Sequence, residues 1–415
     1  TSNISHAQIG SVYRGADEAN AFAFGGEINS IQVTYDVLDA EEIAKLHEAT
    51  APKELDLPAD AVKTEDMNLY YEGYEGSQYY RMPSILTTEM GGTVFAAVDK
   101  RQTTEADRGN IDTIIRKSTD NGRTWSDPQT IFNQPDGGIM YSFTTAPTMV
   151  EGKNGRIHII ANLFPESQGR LATGLIEKGS GFKEVNGKLY PILRNYKDTA
   201  LNAEDDWTKE YTIRENGVVY EETESGGTAT EYRVPKYLAA EGGGDLFKGG
   251  SNTPCGNIYV YTGENAGELK MPRVMSVVSC YSDDNGATWE GYQNITGMIK
   301  EDWMKFMRVG PGAGIRLKNQ KDPALNGRIL IPVCYTNGDG IYSYAASLIY
   351  SDDNGVTWHR TESPVTQVSQ MDEQTGTFRE ASLRESQIVE MNDGTLKMFS
   401  LNYSGYLKMS SGTFE

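Results

Sequence analysis

Ser118-Thr119-Asp120-Asn121-Gly122-Arg123-Thr124-Trp125, Ser282-Asp283-Asp284-Asn285-Gly286-Ala287-Thr288-Trp289 and Ser351-Asp352-Asp353-Asn354-Gly355-Val356-Thr357-Trp358 are three copies of one octapeptide. They match at Ser, Asp, Asn, Gly, Thr and Trp. Asn-Gly marks a tight turn, because both residues reach positive φ at little steric cost. The Ser and Asp side chains can bond the turn backbone, and the Trp can pack beneath it. The octapeptide therefore specifies a hairpin and carries no chemistry of its own. Three copies make an internal repeat, and a repeated hairpin bears on architecture.

Between the copies run short β-branched and apolar stretches, at 94–98, 113–116, 157–163 and 329–333, separated by Gly, Asn and Asp. This pattern predicts an all-β sandwich, barrel or propeller, and the repeat favours a propeller. From Ser282 to Ser351 is 69 residues, which fits one blade with its loops. From Ser118 to Ser282 is 164 residues, which requires a blade without the octapeptide and an additional piece. Residues 166–268 supply that piece, with hairpin-like runs at 211–214, 217–220 and 231–234 and glycine turns such as Gly242-Gly243-Gly244. They predict a small inserted β domain. The propeller then occupies 67–165 and 269–415. Upstream, residues 28–37 read as a strand, and Asp39 with Glu42 reads as a capping box opening a short helix. Residues 51–66, polar and containing Pro52 and Pro58, read as a linker.

Composition excludes several function classes. The 415-residue chain carries 58 acidic and 38 basic residues, a net charge of −20, which opposes non-specific nucleic-acid binding. An anionic ligand would need a local basic island. No apolar run approaches the roughly 20 residues that span a bilayer. The chain opens at Thr1 without a basic segment and apolar stretch, so no signal peptide is visible. Cys255, Cys280 and Cys334 are widely spaced and form no Cys-x-x-Cys pair. His6, His47, His158 and His359 lie outside metal-ligand spacing. Neither a metal nor a cofactor is expected, and a His-dependent triad is not indicated.

The octapeptides resemble the Asp-boxes of the bacterial sialidases, the exo-α-neuraminidases, in the type that carries a lectin domain and an inserted domain. That resemblance implies a six-bladed β-propeller. The Gly-x-Ile strand from Gly26, then Tyr35, Leu38 and the Glu41-Glu42-Ile43 helix, resembles the last strand of the concanavalin-like lectin domain that often precedes bacterial sialidases, with residues 1–50 as its tail, the plain alternative being an ordinary strand-helix terminus. Tyr80-Arg81-Met82-Pro83 resembles the family's Arg-Ile-Pro motif. Its arginine belongs to a triad gripping the substrate carboxylate, a task suited to the paired donors of a guanidinium. The run from Ala96 through Arg101 to Asp112 resembles the loop bearing the catalytic acid. Asp107 aligns with that acid, with Glu105 and Asp112 as nearby alternatives, and Arg101 resembles a further substrate-contacting arginine. The acid protonates the departing glycosidic oxygen and later helps activate water.

Asp302-Trp303-Met304-Lys305-Phe306, then 310–315 and 327–332, resemble a family run of strand, glycine turn and next strand. Arg384-Glu385-Ser386-Gln387 through Gly394 resembles the segment whose glutamate polarises the nucleophilic tyrosine, which implies that role for Glu385. A neutral tyrosine approaches the carboxylate-bearing anomeric carbon with less repulsion than a carboxylate would.

Two departures accompany these matches. Leu401 stands where the family has its second triad arginine, and the chain ends at Glu415, before the family's third arginine, nucleophilic tyrosine and last blade. The resemblance thus implies an exo-sialidase acting on sialylated glycans or glycoproteins, secreted or at the cell surface, by a retaining tyrosine-nucleophile mechanism, with this chain as a fragment. The alternatives are a non-catalytic sialic-acid-binding or degenerate propeller, and an Asp-box propeller for another substrate.

Overall fold

The structure is a computed structural model that describes Glu41 and residues 66–135, 141–166, 176–196, 207–336, 344–363, 369–372, 377–380, 383–402 and 407–412. The chain divides into two compact units, Thr1–Asp66 and Met67–Glu415. In the first, Glu41 is helical and exposed. The rest of the expected lectin tail and linker, Asp66 apart, lies outside the described residues.

The second unit opens with β1 (Tyr79–Thr87), β2 (Val94–Arg101), β3 (Ile111–Ser118) and β4 (Gln129–Phe132), an antiparallel meander in chain order. A second meander starts with β5 (Phe143–Glu151) and β6 (Ile157–Phe164). Both strands are buried along their whole length, so neither shows the alternation of a half-exposed strand.

The chain then leaves to build a separate six-stranded sheet from β7 (Phe182–Val185), β8 (Lys188–Arg194), β9 (Glu210–Ile213), β10 (Val218–Thr223), β11 (Gly226–Arg233) and β12 (Phe247–Lys248). These strands take up the hairpin runs expected in the insert. Their apolar side chains, among them Leu193, Tyr211 and Val219, join one core cluster with Phe95, Ile131 and Met149 of the first two meanders. The insert is thus a sheet of its own that shares its core with the body.

β13 (Ser276–Ser282) returns to pair with β6 along seven residues, and β14 (Glu290–Asn294) completes the second meander. The third begins with an interrupted strand. β15 (Met307–Val309) and β17 (Ile315–Arg316) both pair with β18 (Ile329–Thr336), while β16 (Gly312–Ala313) between them leaves to run parallel to β5. The expected strand and glycine turn are here two short strands around an excursion. β19 (Tyr344–Ser351) and β20 (His359–Arg360) follow. A hairpin of β21 (Ser369–Asp372) and β22 (Thr377–Glu380) precedes a last antiparallel sheet of β23 (Leu383–Glu390), β24 (Leu396–Asn402) and β25 (Leu407–Gly412).

The first strand of each later meander packs on the preceding sheet: β5 on β1 to β3, β15 on β6 and β13, and β23 on β18 and β19. The sheets therefore stack face to face in chain order, with an apolar layer in each gap. Val150, Ile160, Met307, Ile331 and Trp358 fill the gap between the second and third, and Leu330, Leu348, Leu383 and Met398 that between the third and fourth. Among the described residues the series does not close on itself, and no helix is long and apolar enough to cross a membrane.

All three octapeptides join the third and fourth strands of a meander, between β3 and β4, β13 and β14, and β19 and β20. In the first, Ser118 Oγ accepts from the Gly122 amide at 2.8 Å and donates to Asp120 Oδ1 at 2.7 Å. Asp120 takes the Thr124 amide and hydroxyl at 2.8 and 2.7 Å. These bonds, the Thr124 hydroxyl first, hold the Asp120 carboxyl down at about 2. The other copies repeat them at Ser282, Asp284 and Thr288, and at Ser351, Asp353 and Thr357.

The second and third copies also reach back to the preceding sheet. Asn285 Nδ2 donates to Thr93 Oγ1 at 2.8 Å, and Asn354 Oδ1 accepts the Lys153 amide at 2.7 Å. The turn therefore closes a hairpin and ties one sheet to the one before it.

Candidate active site

The end of the sheets opposite the octapeptides carries the candidate site, and its shape comes from an irregularity in the first strands. In β1 the register slips between Arg81 and Ser84, in β5 between Thr145 and Thr148, and in β23 between Arg384 and Gln387. Each slip inserts one extra residue, a β-bulge that re-aims the side chains beside it. Within the bulges Met82, Ala146 and Glu385 hold φ of 57°, 56° and 50°, left-handed values that cost a residue with a β-carbon roughly 1–3 kcal/mol. Gly310, between β15 and β16, has φ 55° at the corresponding point. The four sheets thus present the same local distortion at the same end.

The first bulge sets Arg81 opposite Asp99 of β2. From the end of β2 the chain enters the loop to β3, and two arginines hold that loop. Arg101 Nη1 donates to the Glu105 carbonyl at 2.6 Å and lies 3.0 Å from Asp107 Oδ1. Arg81 Nη1 donates to the same carbonyl at 2.9 Å and lies 3.9 Å from Asp107 Oδ1. Exposure separates the two: the Arg81 side chain is 45% exposed, that of Arg101 0%. Arg81 can meet a ligand, whereas Arg101 works from beneath.

Of the three acidic residues in this stretch, Asp107 faces both guanidiniums. Glu105 offers them its backbone oxygen, and Asp112 is buried in β3, where it accepts from Gln102 Nε2 at 2.9 Å.

Beneath Arg101 lies Asp99, fully buried. Its Oδ2 accepts from Arg101 Nη2 at 2.9 Å and from Thr145 Oγ1 at 2.6 Å, and its Oδ1 accepts the Ala146 amide at 2.8 Å. Burial pushes the Asp99 carboxyl up to about 6, against the lowering pull of Arg101 and its donors.

Glu385 belongs to a second cluster. Its Oε1 accepts from Arg308 Nη2 of β15 at 3.0 Å, and Arg308 is nearly buried. None of the polar contacts of Glu385 among the described residues reaches Arg81, Arg101 or Asp107. Leu401 lies across β23 and β24 from Arg384 and is 40% exposed, so an apolar side chain occupies the place where an arginine is expected.

Sequence reasoning missed Asp99, Thr145, Asn162 and Arg308. One signal was available: Arg81-Met82-Pro83, Thr145-Ala146-Pro147 and Val309-Gly310-Pro311 share a proline directly after the left-handed residue. Among the described residues no group of His, Cys, Asp and Glu side chains could hold a metal ion.

Comparison with known proteins places the chain in a family. The BNR repeat-like domain matches residues 82–401. The anhydrosialidase of Macrobdella decora is 30% identical, over 91% of this chain and 48% of that protein. Sialidase B of Streptococcus pneumoniae serotype 4 is 27% identical, over 78% of this chain and 45% of that protein. The crystal structure of the intramolecular trans-sialidase from Ruminococcus gnavus in complex with oseltamivir carboxylate is 30% identical, covers 83% of this chain and 71% of that one, and superposes with a TM-score of 0.63. The chain spans about half the length of the curated relatives it matches. An all-β stack of meanders, octapeptide turns at one end and an arginine-held acidic loop at the other go together with these matches: the chain belongs to the bacterial-type sialidases of the BNR repeat-like family.

Proposed function

We propose that this protein cleaves terminal α-linked sialic acid from glycoconjugates, with Asp107 as the acid and base, Arg81 gripping the substrate carboxylate, Arg101 holding the acid loop from beneath, and Glu385 polarising a tyrosine nucleophile. The observation that carries the reading is the placement of Asp107 beside two arginines at the bulged end of the sheets. Arg81, with its exposed guanidinium, offers paired donors to an incoming carboxylate. Arg101 keeps its hold on the loop, so that Asp107 faces the leaving oxygen when the sugar carboxylate takes over Arg81.

Protonation of that oxygen is the step Asp107 supplies, and general acids of this kind contribute about 10²–10⁴-fold. Glu385, held by Arg308, accepts the hydrogen bond of the nucleophile. A neutral tyrosine suits a carbon that already bears a carboxylate.

The six-bladed ring is part of the same proposal. Asn285 and Asn354 each dock on the preceding sheet, and a ring gives Asn121 of the first octapeptide the same kind of neighbour. A secreted or surface protein meeting sialylated glycoproteins is the setting that fits the reading.

The test is turnover of a fluorogenic sialoside by the full-length protein, alongside binding of free sialic acid. Release of the fluorophore is the expected result. Binding without release would leave a non-catalytic sialic-acid-binding propeller instead. A second outcome is favoured by the names of two relatives, an anhydrosialidase and an intramolecular trans-sialidase. Transfer to a hydroxyl of the same sugar would yield an anhydro product, which mass spectrometry separates from free sialic acid by the mass of one water.

A further inference from the structure

Resting on the reading above, we propose that Asp99 is a positioning residue: through a buried chain of hydrogen bonds it holds Arg101 against Asp107 and registers the acid loop with the sheet that carries Glu385. The chain can be followed atom by atom. Asp107 meets Arg101 at 3.0 Å, and Arg101 donates to Asp99 at 2.9 Å. Asp99 accepts from Thr145 Oγ1 at 2.6 Å, and the Thr145 carbonyl accepts from Asn162 Nδ2 at 3.0 Å. Asn162, fully buried, also donates to the Val309 carbonyl at 3.1 Å and accepts the Val309 amide at 2.8 Å. Val309 follows Arg308, whose guanidinium donates to Glu385 at 3.0 Å.

The bonds thereby run through four sheets, and the side chains that join the first three, Asp99 and Asn162, are both 0% exposed. The Asp99 carboxylate meets the Arg101 and Thr145 side chains and the Ala146 amide, and the Asn162 amide meets the backbone of Thr145 and Val309. Buried polar groups that satisfy each other in this way fix one geometry. Arg101 supplies the reason for the arrangement: with its side chain wholly buried, it needs an anion below to stay aimed at the loop above.

Asp99→Asn keeps the shape and still accepts from Thr145, but it removes the charge that orients Arg101. A displaced Arg101 releases the acid loop, and an acid out of place matters most when the leaving group is poor. The measurement compares two substrates on the full-length protein, a sialyl oligosaccharide and an aryl sialoside whose phenolate leaves without a proton. Turnover of the oligosaccharide should fall about 100-fold, while the aryl sialoside changes by less than about 5-fold. Asp107→Ala should show the same selectivity.

Thr145→Val, which deletes one donor to Asp99 without changing charge, should show the same pattern at smaller size, and it stands in if Asp99→Asn does not fold. An equal loss on both substrates, or no loss on either, overturns the positioning role. If the unaltered protein turns over neither substrate, the sialidase reading falls and this inference falls with it.

Discussion

The two ends of the meanders both use left-handed backbone, with different residues. At the octapeptide end Asn121, Asn285 and Asn354 hold φ of 58°, 56° and 60°, and a glycine follows each. Asn and Gly adopt these values at low cost. At the other end Met82, Ala146 and Glu385 hold φ of 57°, 56° and 50°, where a β-carbon is crowded. The turns recur as sequence because the backbone shape is their whole product, and one set of residues gives that shape most cheaply. The bulges recur only as shape, with Met82, Ala146 and Glu385, three unlike residues, at the same left-handed point.

The largest effect that could break this division belongs to the bulge end. Asp107→Ala should lower turnover of a natural sialoside by about 10²–10⁴-fold with little change in thermal midpoint. Arg81→Ala should instead weaken binding by about 2–5 kcal/mol of lost charged hydrogen bonding. Steady-state kinetics and a melting curve on each variant check the pair. If Asp107→Ala left turnover unchanged, the acid assignment would be wrong.

The octapeptide end should respond in stability and leave turnover per folded molecule unchanged. Gly286 has φ 72°, and a β-carbon there would fall 2.5 Å from Phe95 Cε1 of the preceding sheet. Gly122 has φ 83°, and a β-carbon there meets only its own Trp125, at 4.0 Å. Gly286→Ala should therefore cost about 3–4 kcal/mol, backbone strain plus overpacking, and Gly122→Ala about 1–2 kcal/mol, strain alone. Chemical denaturation of the two variants measures the difference. Equal costs would mean that the turn's hold on the neighbouring sheet contributes nothing.

What could be read in advance follows the same division. The three octapeptides, the strand runs around 94–98 and 329–333, and the hairpins of the insert were legible because each is local in sequence. Arg81 and Asp107 were singled out by resemblance alone, and the structure sets Arg81 Nη1 3.9 Å from Asp107 Oδ1. Asp99, Thr145, Asn162 and Val309 were not, because residues so far apart in sequence meet only once the sheets have stacked. The shared core of the insert escaped for the same reason: the strands of 182–248 can be read one by one, whereas their packing against Phe95 and Met149 cannot. For Arg101 the sequence offered a resemblance to a substrate-contacting arginine, whereas its burial and its bond to the Glu105 carbonyl come only from the structure.

A smaller effect sharpens the octapeptide side through pH. His158, second residue of β6, lies under Gly355 of the third octapeptide as Phe95, second residue of β2, lies under Gly286 of the second. Burial, then the nearby Arg156 charge, pushes the His158 imidazole from 6.5 down to about 4. Between those values the unfolded chain binds a proton that the folded chain does not. The stability His158 allows is therefore full above pH 6.5 and falls as pH drops toward 4. At pH 5 the loss is about 2 kcal/mol. His158→Phe, which copies the aromatic that Phe95 already places under an octapeptide glycine, should remove that slope while leaving stability at pH 7 close to unchanged. Urea titrations at pH 7 and pH 5 would show it. A slope that survives the substitution would place the titrating group elsewhere.

The smallest expected effect bears directly on the bulges. Ala146 and Ala161 are both buried alanines of the second meander, but Ala146 has φ 56° whereas Ala161 is not among the positive-φ residues. Ala161→Gly loses a buried methyl and frees the unfolded chain, together about 1–2 kcal/mol. Ala146→Gly suffers the same losses and also relieves the left-handed strain, so it should come out near neutral, within about 0.5 kcal/mol. Only the difference between the two variants matters, because the methyl and entropy losses cancel in it. A difference near 1 kcal/mol says that the bulge is held against its own preference by the Asp99 bond to the Ala146 amide and by the stacked sheets around it. No difference says that the left-handed geometry costs nothing there, and the contrast between the two ends of the meanders would reduce to residue choice without an energetic basis.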